Sequence, residues 1–125
     1  MKLGRIIDPK FKETLKKLAD QDLPIKASFI LKGVVLSSDS ESKKFEEVRI
    51  EAVKKLGDKK EDGSLAVDEK GIVNINAENM KEYTGQLSAL LETDIEVKGL
   101  TLNDLGEKVS LNVQDLLILD DIIKE

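Results

Sequence analysis

Between residues 24 and 56 the chain sets Ala27, Leu31, Val34, Ser38, Glu41 or Ser42, Phe45, Val48, Ala52 and Leu56 on one ladder with steps of three and four. That spacing is the seven-residue repeat of a helix that presents one seam to its neighbours. A helix this long spans about 50 Å, so the rest of a 125-residue chain has to be arranged along it. Asp22 or Leu23 supplies the cap and Pro24 the first turn, while Lys54, Lys55 and Gly57 mark the end. Polar residues fall on the ladder only at residues 37–42, "SSDSES". Two readings compete there. In one, Ser38 or Ser40 caps a new helix, with Glu41 completing a capping box after Ser38. In the other, one helix passes through, loosened by residues that favour caps over helix interiors. The unbroken register, with no glycine or proline between Val34 and Leu56, favours the continuous helix.

The remaining elements are read around this spine. Asp8-Pro9 starts a helix over residues 9–19, with Phe11, Leu15 and Leu18 on one face, and residues 1–7 begin as a short alternation. In "DKKEDGSLAVDEKGIVNIN" the turn pairs Asp62-Gly63 and Lys70-Gly71 flank "SLAV" and "IVNI", which are predicted to pair as a small hairpin. Asn76 caps a helix that ends near Glu92 and carries Met80, Tyr83 or Thr84, Leu87, Leu90 and Leu91. "TDIEVKGLTL" and "KVSL" read as strands around the turn "NDLG". Asn112, with Asp115 three residues on, caps a final helix whose apolar face is Val113, Leu116, Leu117, Leu119, Ile122 and Ile123.

The fold class that follows is mainly α with a little β. A long antiparallel helical hairpin over residues 24–92 carries a short β-hairpin or loop at its tip, and residues 1–23 and 93–125 pack as a small α+β base in one domain. Lys43, Lys44, Arg49, Lys54 and Lys55 on the outgoing arm are expected to face Glu78, Glu82 and Glu92 on the returning one.

Composition narrows the chemistry. The chain has no cysteine, histidine or tryptophan, which removes thiol nucleophiles, imidazole bases and Cys/His zinc sites, and no enzyme is expected. Residues 1–60 carry a net charge of +5 and residues 61–125 a net charge of −10, so the halves should attract one another. With an acidic total and no basic patch interleaved with aromatics, nucleic acid is not an expected partner. No apolar run approaches the roughly 18 residues of a membrane span, and the lysine-bearing start has no signal-peptide core. The reading is a protein of the reducing cytoplasm, or of a virion.

Candidate sites are few. "DKKEDGSLAVDE" has the length of an EF-hand loop, with Asp58 first, Asp62 fifth, Gly63 sixth, Leu65 eighth and Glu69 twelfth. Lys60 sits where an oxygen ligand belongs, Ala66 offers none, and Gly71 follows where a helix is required, so no metal or other cofactor is assigned. The tip residues Asp58, Lys59, Lys60, Asp62, Leu65 and Val67 read instead as a contact loop. Glu46-Glu47 and Asp120-Asp121 are adjacent on helices and point about 100° apart, which suits solvated faces rather than catalytic pairs. Ile25, Phe29, Ile30, Val35 and Leu36 lie off the ladder that holds Val34, leaving the first half of the long helix apolar around most of its circumference. Such a helix is buried on all sides, either wrapped by its own chain or covered by a second copy. Ile25, Phe29, Ile30, Val34, Val35 and Leu36 are thus the candidate self-association surface, and a homo-oligomer is expected.

The succession "MKLGRIID", "DLPIKASFILKGV", "FEEVRIEAVKKLGDKKEDGS", "LLETDIEVKGLTLNDLG" and "VSLNVQDLLILDDII" resembles a group of small proteins encoded by tailed bacteriophages and prophages. The resemblance covers nearly the whole chain. It implies a phage origin and a helical hairpin, with no established activity and no site residues to carry over. The expectation is a non-enzymatic phage accessory protein that binds protein, either in tail or virion assembly or on a host or defence protein. Alternatives are an oligomer that sequesters a small anionic ligand such as a signalling nucleotide, and a helical-hairpin chaperone.

Overall fold

Three helix-starting signals in the sequence, Asp8, Asn76 and Asn112, are used where they stand, whereas the long helix begins at Ile25, just after Pro24, rather than with Pro24 in its first turn. The computed structural model describes residues 1–125 in the order α1 (Leu3–Ile6), α2 (Pro9–Ala19), α3 (Ile25–Leu56), α4 (Ala77–Leu91), β1 (Leu100–Thr101), a 3-10 turn (Asn103–Leu105), α5 (Val113–Ile118) and β2 (Ile123–Lys124). The chain is mainly helical, with one small two-stranded sheet. The Asp8 carboxylate accepts from the Lys10 amide at 2.8 Å and Pro9 opens α2. Asn76 accepts from the Asn79 amide at 2.8 Å to start α4. Asn112 and Asp115 form a reciprocal capping box on α5.

The serine block does not turn the chain. α3 is one helix of 32 residues, and its ladder holds in the first half, where Ala27, Leu31, Val34 and Ser38 are all buried. Ser38 belongs on that seam because its hydroxyl has a partner. It donates at 2.6 Å to the carbonyl of Ile6, in the last turn of α1, where carbonyls lack intrahelical donors.

The chain divides into two compact units, one made of residues 1–42 and 93–125, the other of residues 43–92. The first unit holds a conventional core, built from Leu3, Ile6, Phe11, Leu15 and Leu18, the α3 seam with Ile30, and Leu100, Leu105, Leu119, Ile122 and Ile123. Its β1 and β2 pair in parallel, Leu100 opposite Ile123 and Thr101 opposite Lys124. Gly99 permits this pairing, since a Cβ there would stand 2.8 Å from the Ile122 carbonyl oxygen. Residues 93–95 pair with the start of the chain, Ile95 N–H donating to the Met1 carbonyl at 2.7 Å and Leu3 N–H to the Thr93 carbonyl at 2.8 Å.

Four expectations for this unit need correction. Of "TDIEVKGLTL", only Leu100–Thr101 is strand, apart from the single bridge at Asp94. The alternation of residues 1–7 is taken up in the short α1, preceded by a single bridge from Lys2 to Asp94. "KVSL" is not a strand: the Gln21 side chain occupies the Ser110 backbone from both sides, accepting from its N–H at 2.7 Å and donating to its carbonyl at 2.9 Å. The last helix stops at Ile118, five residues short of Ile123. The carbonyls of Ile122 and Lys124 accept instead from the N–H groups of Leu100 and Leu102, at 2.8 and 2.9 Å. Arg5 helps to end the helix by donating to the Ile118 carbonyl at 3.2 Å while pairing with Asp120 and Asp121 at 3.0 and 2.9 Å.

The second unit contains the end of α3, the connecting residues 57–76 and α4. Leu56 is its one buried apolar side chain. Asn79 Nδ2 donates to the Leu56 carbonyl at 3.1 Å, and Tyr83 lies beside the Arg49 guanidinium. The pairing expected of "SLAV" with "IVNI" is limited to one antiparallel bridge, Val67 to Val73, with a second from Lys59 to Leu65; neither extends into a strand. Gly63 and Gly71 take positive φ values of 86° and 78° in the two turns, as the Asp-Gly and Lys-Gly steps suggest. Gly57 serves another purpose than the left-handed cap expected of it. A Cβ there would meet Val73 Cγ1 and the Val53 carbonyl oxygen, each at 2.7 Å.

Candidate functional site

Within the second unit the ladder of α3 leaves more surface uncovered than in the first. Val48 is 47% exposed, and Phe45 and Ala52 are only half-buried. Beside the ladder, Ile50 and Val53 form a second apolar edge three residues apart on α3. The connecting loop brings Leu65, Ile72, Val73 and Ile75 to that edge, and α4 adds Met80 and Tyr83. Together with Arg49, Lys54 and Gly71 these residues line an open groove of about 500 Å³. Ile50, Ile72 and Met80 are exposed at its mouth.

The charged side chains that line the groove are Arg49 and Lys54. Arg49 Nε donates to the Glu46 carboxylate at 3.1 Å, and this pairing, then Tyr83, raises the Arg49 pKa from its already high ordinary value. The same contact holds the Glu46 carboxyl below its ordinary value. Arg49, expected to face the acids of the returning arm, therefore pairs along its own helix and with a phenol of α4. The floor is aliphatic. An apolar concavity of this size with a cation at one edge can hold an apolar side chain or two and orient a neighbouring carboxylate.

The tip residues named from the sequence divide by role. Leu65 lines the groove, and Val67 is 46% exposed beside its bridge to Val73. Asp62 accepts from the Ser64 amide and hydroxyl at 3.0 and 2.6 Å, bonds that hold its carboxyl below the ordinary range. Asp58 accepts from Asn76 Nδ2 at 3.3 Å, Lys60 N–H donates to the Ser64 carbonyl at 2.7 Å, and Lys59 Nζ donates to the Lys54 carbonyl. These polar residues build the turn on which the apolar ones stand. Sequence reasoning missed Ile50, Val53, Ile72 and Met80 as one surface. The signal available was the step of three from Ile50 to Val53 beside the ladder.

The candidate self-association residues, all in the first unit, are also divided. Ile30 and Val34 are buried at 6% and 2% and cannot meet a partner, which corrects the expectation for those two. One helix face cannot serve the core and the solvent together, and these two share the core side with Leu31. Ile25, Phe29 and Leu36 are exposed at 89%, 76% and 60%, and Val35 is half-buried. Beside Phe29 a cleft of about 220 Å³ lies between α3, at Gly33 and Ser37, and the segment Glu96, Val97 and Lys98. No helix is long and apolar enough to cross a membrane. Comparison with family models, with curated proteins and with solved structures gives no match.

Proposed function

We propose that this chain is a non-enzymatic phage accessory protein that works by binding another protein, and that the groove of the second unit is where it does so. The observation that carries the reading is the placement of Ile50, Ile72 and Met80 at the open mouth of an aliphatic concavity. Burying one such side chain is worth about 1.5–3 kcal/mol, so an uncovered cluster of them favours association. The phage assignment rests on the sequence resemblance alone. The occupant is an apolar segment flanked by a carboxylate, the apolar part seated against Val53, Val73 and Ile75 and the carboxylate near Arg49 and Lys54.

The end of α3 and α4 act in this reading as an antiparallel helical hairpin that frames the groove. The Asn79 amide on the Leu56 carbonyl near the loop, and Tyr83 beside Arg49 further along, support that arrangement. Its test compares the full chain with Ile72→Asp and with Met80→Asp, both at exposed positions, in affinity capture from phage-infected cells. A partner retained by the parent chain and weakened about tenfold or more in both variants, with unchanged helicity, is expected. Equal capture by parent and variants would remove the groove from the function.

A further inference from the structure

The first unit holds a stretch of extended backbone that its own chain pairs only in part. Residues 94–98 alternate, Asp94, Glu96 and Lys98 exposed and Ile95 and Val97 half-buried, which is the period of a strand. On one side Ile95 exchanges two bonds with Met1, donating to its carbonyl at 2.7 Å and accepting from its amino group at 3.2 Å. The main-chain groups of Asp94, Glu96 and Lys98 therefore point to the other side. Further along, at Leu100 and Leu102, that side is filled by the β2 segment, whose Ile122 and Lys124 carbonyls accept from their N–H groups. From Asp94 to Lys98 it is empty. The N–H and carbonyl groups of these three residues have no hydrogen bond within the chain, and they border an open trough of about 710 Å³.

We infer that an extended segment of a partner protein adds here as a strand, antiparallel to residues 94–98 and in line with β2. Alternating main-chain donors and acceptors at strand spacing are complementary to the backbone of another strand. Side-chain selection comes from the cleft of about 220 Å³ beside the same residues, where Glu96, Val97 and Lys98 face Phe29, Gly33 and Ser37 of α3. An apolar side chain of the added strand fits that cleft, as alternate side chains do wherever a peptide extends a sheet.

Charge decides which strand this is. Asp94, Glu96 and Lys98 are exposed, and none of them is held in an ion pair. An antiparallel second copy of the segment, centred on Glu96, sets that carboxylate against its own image, so self-pairing is opposed. A partner strand that reads acid, apolar, base, apolar, base places its acid opposite Lys98 and its two bases opposite Glu96 and Asp94. Its two apolar side chains then lie on the face of Ile95 and Val97, toward the cleft.

The probe is a capped peptide with the core Glu-Val-Lys-Val-Lys, titrated to about 2 mM into the isotope-labelled full chain and followed by backbone amide shifts. Saturable shifts at residues 94–98 and at Phe29 are expected. Methylating the amide nitrogen of the central lysine, which faces Glu96, is expected to weaken binding about tenfold or more, whereas methylating a valine amide, which faces away, changes it by no more than about twofold. The charge-inverted core Lys-Val-Glu-Val-Glu binds about fivefold more weakly or worse. Glu96→Pro removes a donor that has no partner within the chain and weakens the original peptide about tenfold, with shifts elsewhere in the chain unchanged. No saturable shift at residues 94–98, or equal affinity of the two methylated peptides, overturns the inference. A chain that dimerises through residues 94–98 without peptide makes a second copy the occupant and overturns it too. None of these readouts depends on Ile72 or Met80, so failure here leaves the groove assignment standing.

Discussion

Ser38 shows how much one hydroxyl decides. On a core seam of a long helix an alcohol without a partner is destabilising, yet this one is 1% exposed and reaches the Ile6 carbonyl. Ser38→Ala removes the donor and leaves that carbonyl unsatisfied, with an expected loss of about 1–3 kcal/mol measured by chemical denaturation. Asp115 is the matching acidic case. Its carboxylate accepts from Lys17 Nζ at 2.8 Å and from the Asn112 amide at 3.2 Å, and these bonds hold its pKa below the ordinary carboxylate value. A carboxyl whose pKa is depressed by folding contributes stability above its unfolded value, near 3.9. The contribution is lost as pH falls through the folded value. Asp115→Asn is therefore expected to melt below the parent at pH 7, and the gap should narrow toward pH 2 in thermal melts followed by circular dichroism. A gap that does not change with pH would mean that the charge of Asp115 contributes nothing.

Among the elements, α3 combines two different helices in one. Its first half is anchored by a buried seam, while residues 37–42 are mostly poor helix formers and the second half has half-buried apolar groups with Leu56 alone buried. Continuity through the serines comes from register and from the Ser38 bond rather than from local preference. Ser40→Pro should cost about 3 kcal/mol or more, because it removes an intrahelical bond in the middle of a helix, and urea denaturation reads the loss. α4 offers the opposite opportunity. Gly85 lies inside it with nothing within 4 Å of where a Cβ would stand, so Gly85→Ala is expected to stabilise by about 1 kcal/mol in the same assay. The caps of α2, α4 and α5 were legible to the residue, since Asp8, Asn76 and Asn112 act on amides two or three positions away. The ends of elements that answer to distant backbone were not. Ile123 reads as helix by its spacing but is strand because Leu100 and Leu102 require acceptors.

At the scale of the whole molecule the uneven burial has a dynamic consequence. The first unit holds nearly all the buried apolar side chains, whereas the second has Leu56 alone. Native-state hydrogen exchange should show amides of α4 opening at lower free energy than those of α2, and a groove ligand should raise α4 protection first. Equal protection of the two helices would contradict this.

Charge segregation along the chain is resolved inside the first unit, where Arg5 meets Asp120 and Asp121, and Lys17 meets Asp115. By itself the sequence determined what depends on neighbours a few residues apart: helix starts, the unbroken phase of α3 and the glycine turns of the loop. The tertiary structure decided which apolar residues enter the core. Ile30 and Phe29 are adjacent and equally apolar, yet one is 6% exposed and the other 76%, because only packing from α1, α2 and the C-terminal segment selects a side of the helix. Periodicity reports that a face exists, and the area buried against it depends on chain brought from far away.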